Sequence, residues 1–333
     1  MKVRTRGMFS VRRLRRVIAD RLHGTPFDQA LAAAARDRQH DFVFGWNRGL
    51  GDIALGLVPL FARIRARITG SRIVLVTRPD LAQMAGLAGV DDVVVVTGLV
   101  RDAPFDPLQA AKTHGIVFRG QPTVFADPDP TRWLDGRRAA YAPRLTWNSA
   151  LDACADRLVV PAQGRIVIGA HVNSETAQYY GYVKDWPAES WRALLARFPA
   201  ARGVHWLLFG NAASPQFSFP NVTDMRGATS MHELLALVRR HCRVLVAPDS
   251  GILTAVYYLD QATPLDVVSL WSDPRQGILK QGCASPNPAL RHRPLHGCDD
   301  DVRNLTVTDV ETALAAVLAP LSPRTVDGAT HAV

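Results

Sequence analysis

Short apolar runs alternate along the chain with longer segments whose apolar residues recur at helical spacing. In the first half, the runs predicted to be strands are 41–46 (DFVFGW), 72–77 (RIVLVT), 91–96 (DDVVVV), 115–118 (GIVF) and 122–126 (PTVFA). The segments 52–67 and 79–88 are predicted to be helices. Apolar strands that alternate with helices indicate a parallel sheet that is covered on both faces.

The alternation stops at residues 127–164 and then restarts. This interval holds prolines, arginines, two tryptophans and a predicted helix (NSALDACADRL), and it ends in a Pro-Ala-Gln-Gly break at 161–164. Beyond it, strands are predicted at 165–171, 204–210, 242–247 and 265–271, and helices at 188–198, 229–241 and 306–319, with a capping box formed by Ser230 and Glu233.

This pattern predicts two α/β domains in tandem, each a Rossmann-like doubly wound sheet. The expected division is a basic N-terminal extension (1–40), a first domain (41–160), a second domain (161–320) and a disordered tail (321–333). Ligands of such sheets bind at the carboxyl ends of the strands.

The composition argues against a membrane-spanning, secreted or disulfide-stabilised protein. The hydrophobic fraction of 47% supports two cores, and the chain shows neither a long apolar span nor the apolar core of a signal peptide. Four scattered cysteines do not form a disulfide framework. We therefore expect a cytoplasmic protein.

The net charge of +9 is concentrated partly in residues 1–24. There, apolar residues recur at helical spacing between arginines, which is compatible with a basic amphipathic helix on an anionic membrane surface. A solvated, arginine-rich surface or a cap on the protein body explains the same charge. Nucleic acid is not an expected partner, because the chain lacks RNP, helix-turn-helix and zinc-finger patterns.

Two strand-to-helix junctions carry acids beside glycines. Gly49 and Gly51 precede Asp52, and Asp249 precedes Ser250 and Gly251 at the end of the strand CRVLVA. Glycine permits close approach of a ligand to the backbone, and a helix N-terminus favours anions. Either acid could instead be a simple helix N-cap.

A third junction follows the strand RIVIGAH. It contains Asn173, Ser174 and Lys184. A lysine at such a point can neutralise a diphosphate, although an ordinary surface lysine is the commoner case.

The sequence evidence for a metal site is weaker. Cys283, His292, His296 and Cys298 have irregular spacing, which favours a proline-rich loop over a zinc or iron site. The acidic triplets at 127–129 (DPD) and 299–301 (DDD) are interpreted as loop acids rather than metal-binding Asp-x-Asp motifs.

Taken in order, four segments resemble glycosyltransferase family 9, the family of ADP-heptose:lipopolysaccharide heptosyltransferases. They are RGLGDIALGLVPL, KDWPAESW, GATSMHELLALV and VLVAPDSGILTAV, within a resemblance that covers roughly residues 41 to 318. It implies a GT-B fold and an inverting sugar transfer without metal or cofactor, from a nucleotide sugar to a glycan or lipid-linked acceptor. It also implies a place at the inner face of the bacterial inner membrane.

The resemblance assigns roles to individual residues. It makes Asp52 the general base and Lys184 the group that stabilises the leaving diphosphate. The acceptor-side loop contains Arg48, Gly49 and Gly51. The residues expected to bind the sugar donor are Asn173, Ser174, Lys184, Asp249, Ser250, Gly251 and Thr254.

Thr254 stands where the family usually has histidine, so the nucleotide sugar could differ from ADP-heptose. Two alternatives stay open: a catalytically silent relative that binds a nucleotide sugar or glycan, and a nucleotide-sugar epimerase of the same fold.

Overall fold

The structure, a computed structural model, describes residues 18–134, 140–158, 160–162, 164–174, 179, 181–211 and 215–322. Most of the basic segment 1–24 and all but two residues of the predicted tail 321–333 lie outside these ranges. Within them, residues 18–23 are helical.

The described strands follow the predicted alternation closely. They are β1 (Asp41–Trp46), β2 (Arg72–Thr77), β3 (Asp92–Val95), β4 (Thr123–Phe125), β5 (Ile166–His171), β6 (Val204–Phe209), β7 (Val222–Asp224), β8 (Cys242–Pro248), β9 (Leu265–Trp271) and β10 (Leu290–His296).

The α-helices lie mainly between these strands. They are α1 (Pro26–Arg36), α2 (Leu50–Asp52), α3 (Val58–Arg67), α4 (Ala82–Leu87), α5 (Pro107–Thr113), α6 (Pro130–Trp133), α7 (Ala188–Arg197), α8 (Met231–His241), α9 (Gly251–Tyr258), α10 (Gly277–Gln281) and α11 (Val307–Leu318). The predicted capping box of α8 is confirmed, with Ser230 and Glu233 bonded reciprocally.

Two predicted elements differ. The segment 115–118 is not a strand: Gly115 has φ +79° just beyond α5, and Val117 is 80% exposed. The helix predicted within 148–158 is present, as the 3₁₀-helix Ser149–Ala155. The segment interpreted as a proline-rich loop contains β10, an edge strand whose exposed edge accommodates Pro294.

By its internal contacts, the chain separates into two compact units. The first comprises residues 1–48, 59–85 and 90–141. Its parallel sheet has the order β3-β2-β1-β4, and valines of β1, β2 and β3 pack with Ala111 of α5. Phe44 of β1 also stacks on Phe125 at a centroid distance of 4.6 Å.

The second unit comprises residues 49–58, 86–89 and 142–333. Its six parallel strands have the order β10-β9-β8-β5-β6-β7. Read from β7, this is the strand order 3-2-1-4-5-6 of a nucleotide-binding Rossmann sheet. The chain reverses its direction of winding between β5 and β8, and ligands of such sheets bind outside the carboxyl ends of these strands.

The helix that follows β1 is irregular. After α2, residues Ile53–Leu57 form a π-helical turn, and α3 then begins at Val58. Residue 59 is proline, which lacks the N–H that would continue a regular α-helix at this point. Isolated π turns within helices are frequent at functional sites.

Candidate functional site

A cavity of about 90 Å³ lies within the second unit, at the carboxyl ends of β5 and β8. It is lined by Gly49, Gly51, Asp52, Leu55, Ser174, Lys184, Asp249, Ser250, Gly251, Thr254 and Gly277. Whole small-molecule sites usually enclose roughly 300–1,000 Å³, so this space suits a phosphate-sized group rather than an entire nucleotide sugar.

Asp52 lies in the first turn of the helix that lines one side of the cavity. The N-cap is Gly49, so the alternative that Asp52 itself is the N-cap is wrong. A Cβ at position 49 would lie 2.6 Å from Asp52 Oδ2, and only glycine allows this carboxylate to come so close to the backbone. The side chain is exposed, and the positive end of the helix dipole favours its ionised form.

Two glycines bring the starts of α2 and α9 together. A Cβ on Gly51 would lie 3.3 Å from both Gly251 Cα and Thr254 Oγ1. A Cβ on Gly251 would lie 2.6 Å from Leu50 Cδ2 and 3.1 Å from Gly51 N. The missing side chains at both positions therefore set the spacing between Asp52 and the Asp249-Ser250-Gly251 turn.

An ion pair forms part of the cavity wall. Lys184 Nζ lies 2.7 Å from Asp249 Oδ2, and the two side chains are only 17% and 9% exposed. Asp249 Oδ2 itself is shielded from solvent, and the ion pair with Lys184 is its contact. Lys184 lines the cavity and is partly exposed, so a ligand there can reach its charge.

The start of α9 adds further groups that can bind an anion. Ser250 is the N-cap, and its hydroxyl oxygen accepts from Leu253 N at 3.1 Å. Asp249 is therefore not the N-cap, and that alternative is also wrong. A hydroxyl that accepts one hydrogen bond can still donate its own hydrogen, and the N-terminal amides of a helix attract phosphate.

Ser174 enters the site through a buried backbone contact. Its N–H donates to Asp185 Oδ1 at 2.6 Å. Burial raises the pKa of Asp185, and the Ser174 amide and the Lys184 charge oppose that rise. The adjacent residues Lys184 and Asp185 thus connect the segment after β5 to the turn after β8.

Two predicted site residues do not line the cavity. Arg48 belongs to the first unit. There its guanidinium group pairs with Asp127, and its Nε lies 3.8 Å from Asp102 Oδ1. Asn173 follows β5, but its Oδ1 is buried against Gly210, where a Cβ would lie only 2.3 Å away. Their proposed roles stay predictions.

Thr254 does not offer its hydroxyl hydrogen to the cavity. The side chain is 2% exposed, and its hydroxyl donates to Ser250 O at 3.0 Å, one helical turn back. The hydroxyl is therefore already satisfied by the backbone. Threonine here therefore offers the cavity neither a charge nor a free hydroxyl hydrogen, unlike the histidine that the resemblance implies.

The sequence interpretation missed two lining residues, Leu55 and Gly277. Gly277 begins α10 with φ +49°, and a Cβ there would lie 2.5 Å from Asp249 Oδ1 and 2.8 Å from Trp271. The sequence could have indicated Gly277, because this glycine lies at a fourth strand-to-helix junction, after the predicted strand 265–271. The role of Leu55 depends on the π turn and has no sequence signal of its own.

The candidate metal ligands have other contacts. Ser269 accepts from Trp271 Nε1 and bonds His292 Nε2, both at 2.6 Å, and burial lowers the pKa of His292 to about 4. Cys283 Sγ donates to Gln281 O. Across the described ranges, no group of three or more histidine, cysteine or acidic side chains is arranged to hold a metal ion.

No protein-family model matches this chain, and no curated protein matches it. Several solved structures match this chain. The glycosyl transferase of family 9 from Veillonella parvula is 15% identical, with a TM-score of 0.55 over 84% of this chain and 97% of that one. The E. coli ADP-heptose LPS heptosyltransferase II is also 15% identical, with a TM-score of 0.56 over 84% of this chain and 98% of that one.

The predicted fold is confirmed. The chain has the paired α/β sheets of the glycosyltransferases to which its motifs point, although at an identity where likeness establishes the fold alone. Within the part of the chain that the structure describes, no helix is long and apolar enough to cross a bilayer.

Proposed function

We propose that this protein is a glycosyltransferase of the family 9 type, which moves a sugar from a nucleotide sugar to a hydroxyl acceptor. The observation that carries the proposal is the convergence of Asp52, Lys184 and the start of α9 on one cavity at the switch point of a Rossmann sheet. A base, a cation and free backbone amides are the groups that this reaction uses.

In the proposed reaction, Asp52 is the general base. Its carboxylate takes the proton of the acceptor hydroxyl while that oxygen forms a bond to the anomeric carbon. The bond from the anomeric carbon to the diphosphate breaks on the opposite face, so the configuration inverts. The exposed position of Asp52 lets an acceptor reach it.

Negative charge develops on the leaving diphosphate. Lys184 would stabilise it electrostatically, together with the amides and the Ser250 hydroxyl at the start of α9. In this proposal the protein's own cation supplies the positive charge, and no metal takes part. Asp249 would hold Lys184 in place and, as the motif resemblance implies, contact the donor sugar.

The leading candidate for the sugar donor is ADP-heptose, and the acceptor would be a glycan or a lipid-linked lipopolysaccharide precursor. The motif resemblance supports this choice, and one structural neighbour is an ADP-heptose LPS heptosyltransferase. The engaged hydroxyl of Thr254 argues that the diphosphate contacts differ from those of the family at this point.

The proposal is tested with nucleotide diphosphates and nucleotide sugars. Calorimetry on wild type and Lys184→Ala would measure binding, and release of the nucleoside diphosphate would measure turnover. Removing a charged hydrogen bond costs about 1.5–3 kcal/mol, so Lys184→Ala should bind ADP or ADP-heptose roughly 10- to 100-fold more weakly. Asp52→Asn should bind the donor normally and lose about 10²- to 10⁴-fold in kcat.

A catalytically silent, nucleotide-sugar-binding relative is the second candidate. It is favoured by the pairing of Lys184 with Asp249 and by the internal hydrogen bond of Thr254. Donor binding without turnover in the wild type would establish it. The absence of any nucleotide binding would contradict both candidates, and binding of uridine or guanosine diphosphates alone would contradict only the choice of ADP-heptose.

We also propose peripheral contact with the inner face of a bacterial inner membrane. The basic residues of 1–24 support it, and Ile18 and Leu22 are 48% and 72% exposed. Arg132 pairs with Asp20 and fixes these helical residues to the first unit. Sedimentation with anionic, but not neutral, vesicles in low salt is the expected result, and equal binding to both would contradict the proposal.

A further inference from the structure

The carbonyl of Leu55 cannot accept the hydrogen bond that a regular α-helix would give it. In a regular α-helix it would accept from the N–H of residue 59, but Pro59 has no N–H and its ring crowds that oxygen. The widened π turn Ile53–Leu57, which begins directly after Asp52, is the form that the helix takes here.

Gln281 donates a hydrogen bond to this carbonyl from a distant part of the chain. Its Nε2 lies 2.5 Å from Leu55 O, a contact between residues 226 positions apart in the chain. The glutamine is 3% exposed and ends α10, the helix that begins at Gly277 in the cavity wall. Both residues belong to the second unit. A buried amide costs free energy unless it is bonded, so a side chain of this kind serves a specific contact.

We infer that Gln281 is a positioning residue that fixes Asp52 through the π turn. This inference rests on the proposed function. Asp52 is the residue immediately before the π turn, and Leu55 lies less than one helical turn beyond it. A hydrogen bond that fixes the backbone there also fixes the direction of the carboxylate. Misplacement of a reacting group by about 1 Å can cost about 100-fold in rate.

The test compares Gln281→Leu and Gln281→Glu with the wild type. Leucine keeps the volume and removes the donor. Glutamate keeps the shape and can donate only when it is protonated. We expect Gln281→Leu to lose roughly 10- to 100-fold in kcat with KM for the nucleotide sugar changed less than twofold. The kcat of Gln281→Glu relative to wild type should rise as the pH is lowered from 8 to 5.5.

Asn287→Leu is the matched control. Asn287 is also a buried amide of the second unit, and its Nδ2 donates to Thr263 O at 2.8 Å away from the cavity. Asn287→Leu should lower Tm by about as much as Gln281→Leu does, and it should leave kcat unchanged.

A wild-type kcat in Gln281→Leu, or a pH-independent ratio for Gln281→Glu, would overturn the positioning role while the proposed function stands. Equal losses of kcat in Gln281→Leu and the control would overturn it as well. A wild type that binds nucleotide sugars without turning them over would overturn the proposed function and the positioning role together. The difference in Tm between Gln281→Leu and the wild type would still report the loss of the hydrogen bond.

Discussion

At the scale of the residue, local hydrogen bonds decide what each polar group can offer a ligand. Ser250 uses its hydroxyl oxygen to cap α9, which leaves its hydrogen available. Thr254, one turn later, donates its hydrogen to the Ser250 carbonyl and is 2% exposed. Two hydroxyls in one motif therefore differ in function because one lies at a helix start and the other inside the helix.

This difference predicts the effect of restoring histidine at position 254. Thr254→His should lower the free energy of unfolding by about 1–3 kcal/mol, because the larger ring overpacks a buried site against Gly51. Urea unfolding would measure the loss. Thr254→Ser keeps the hydroxyl and serves as the control, with a smaller effect. A histidine variant that kept its stability and bound ADP more tightly would contradict this account.

At the scale of the element, the spacing between two helix starts determines the shape of the site. The helix that begins at Leu50 and the helix α9 approach at Gly51 and Gly251. Neither glycine has a left-handed backbone, so close approach rather than conformational freedom accounts for the missing side chains.

We therefore predict that Gly251→Ala impairs both stability and turnover. The added methyl would lie 3.1 Å from Gly51 N and 2.6 Å from Leu50 Cδ2, so α2 and α9 must move apart. Overpacking of this kind typically costs about 1–3 kcal/mol. Denaturant unfolding and product release would report the two effects.

Gly86→Ala is the matched control for that prediction. Gly86 lies in α4, and a Cβ there would meet nothing within 4 Å. Replacing an exposed helical glycine by alanine should be neutral or stabilise by up to about 1 kcal/mol. Comparable losses in both variants would show that close approach at Gly251 is not the cause.

At the scale of the whole molecule, buried histidines connect stability to pH. Burial lowers the pKa of His171 to about 4 and that of His292 to about 4. Burial and the charge of Arg165 also lower the pKa of His205. Each folded-state pKa lies below the usual value, so the unfolded chain binds protons first and acid favours unfolding.

Stability should therefore be full above about pH 6.5 and fall as the pH decreases toward 4. The loss at pH 5 is about 2 kcal/mol for each of His171 and His292, by linkage between the two states. The raised pKa of Asp185 acts in the opposite direction. Urea unfolding between pH 7 and 5 would measure the slope.

His171→Asn removes one of the titrating histidines from that experiment. The variant should show a shallower slope of unfolding free energy against pH, whatever its absolute stability. An unchanged slope would mean that His171 does not contribute to the acid sensitivity.

The sequence by itself determined the fold class and named most of the residues that line the cavity. Apolar runs and helical periodicity are local, and they placed every strand of the second sheet except β7 and β10. Strand-to-helix junctions are also local features. Because the carboxyl ends of parallel strands lie at one edge of a sheet, Lys184 and Asp249, which follow β5 and β8, could be assigned to one region of the second sheet in advance. Asp52 follows β1 of the other sheet, so its place beside them was expected only from the motif resemblance.

Only the tertiary structure decided the contacts between distant segments. It paired Lys184 with Asp249, placed Gln281 against Leu55, and turned Arg48 toward Asp127 and Asp102. Side-chain pairings of this kind depend on how strands and helices pack, and no local pattern encodes them. The edge strand β10 escaped prediction for the same reason, since its residues become a strand only by pairing with β9.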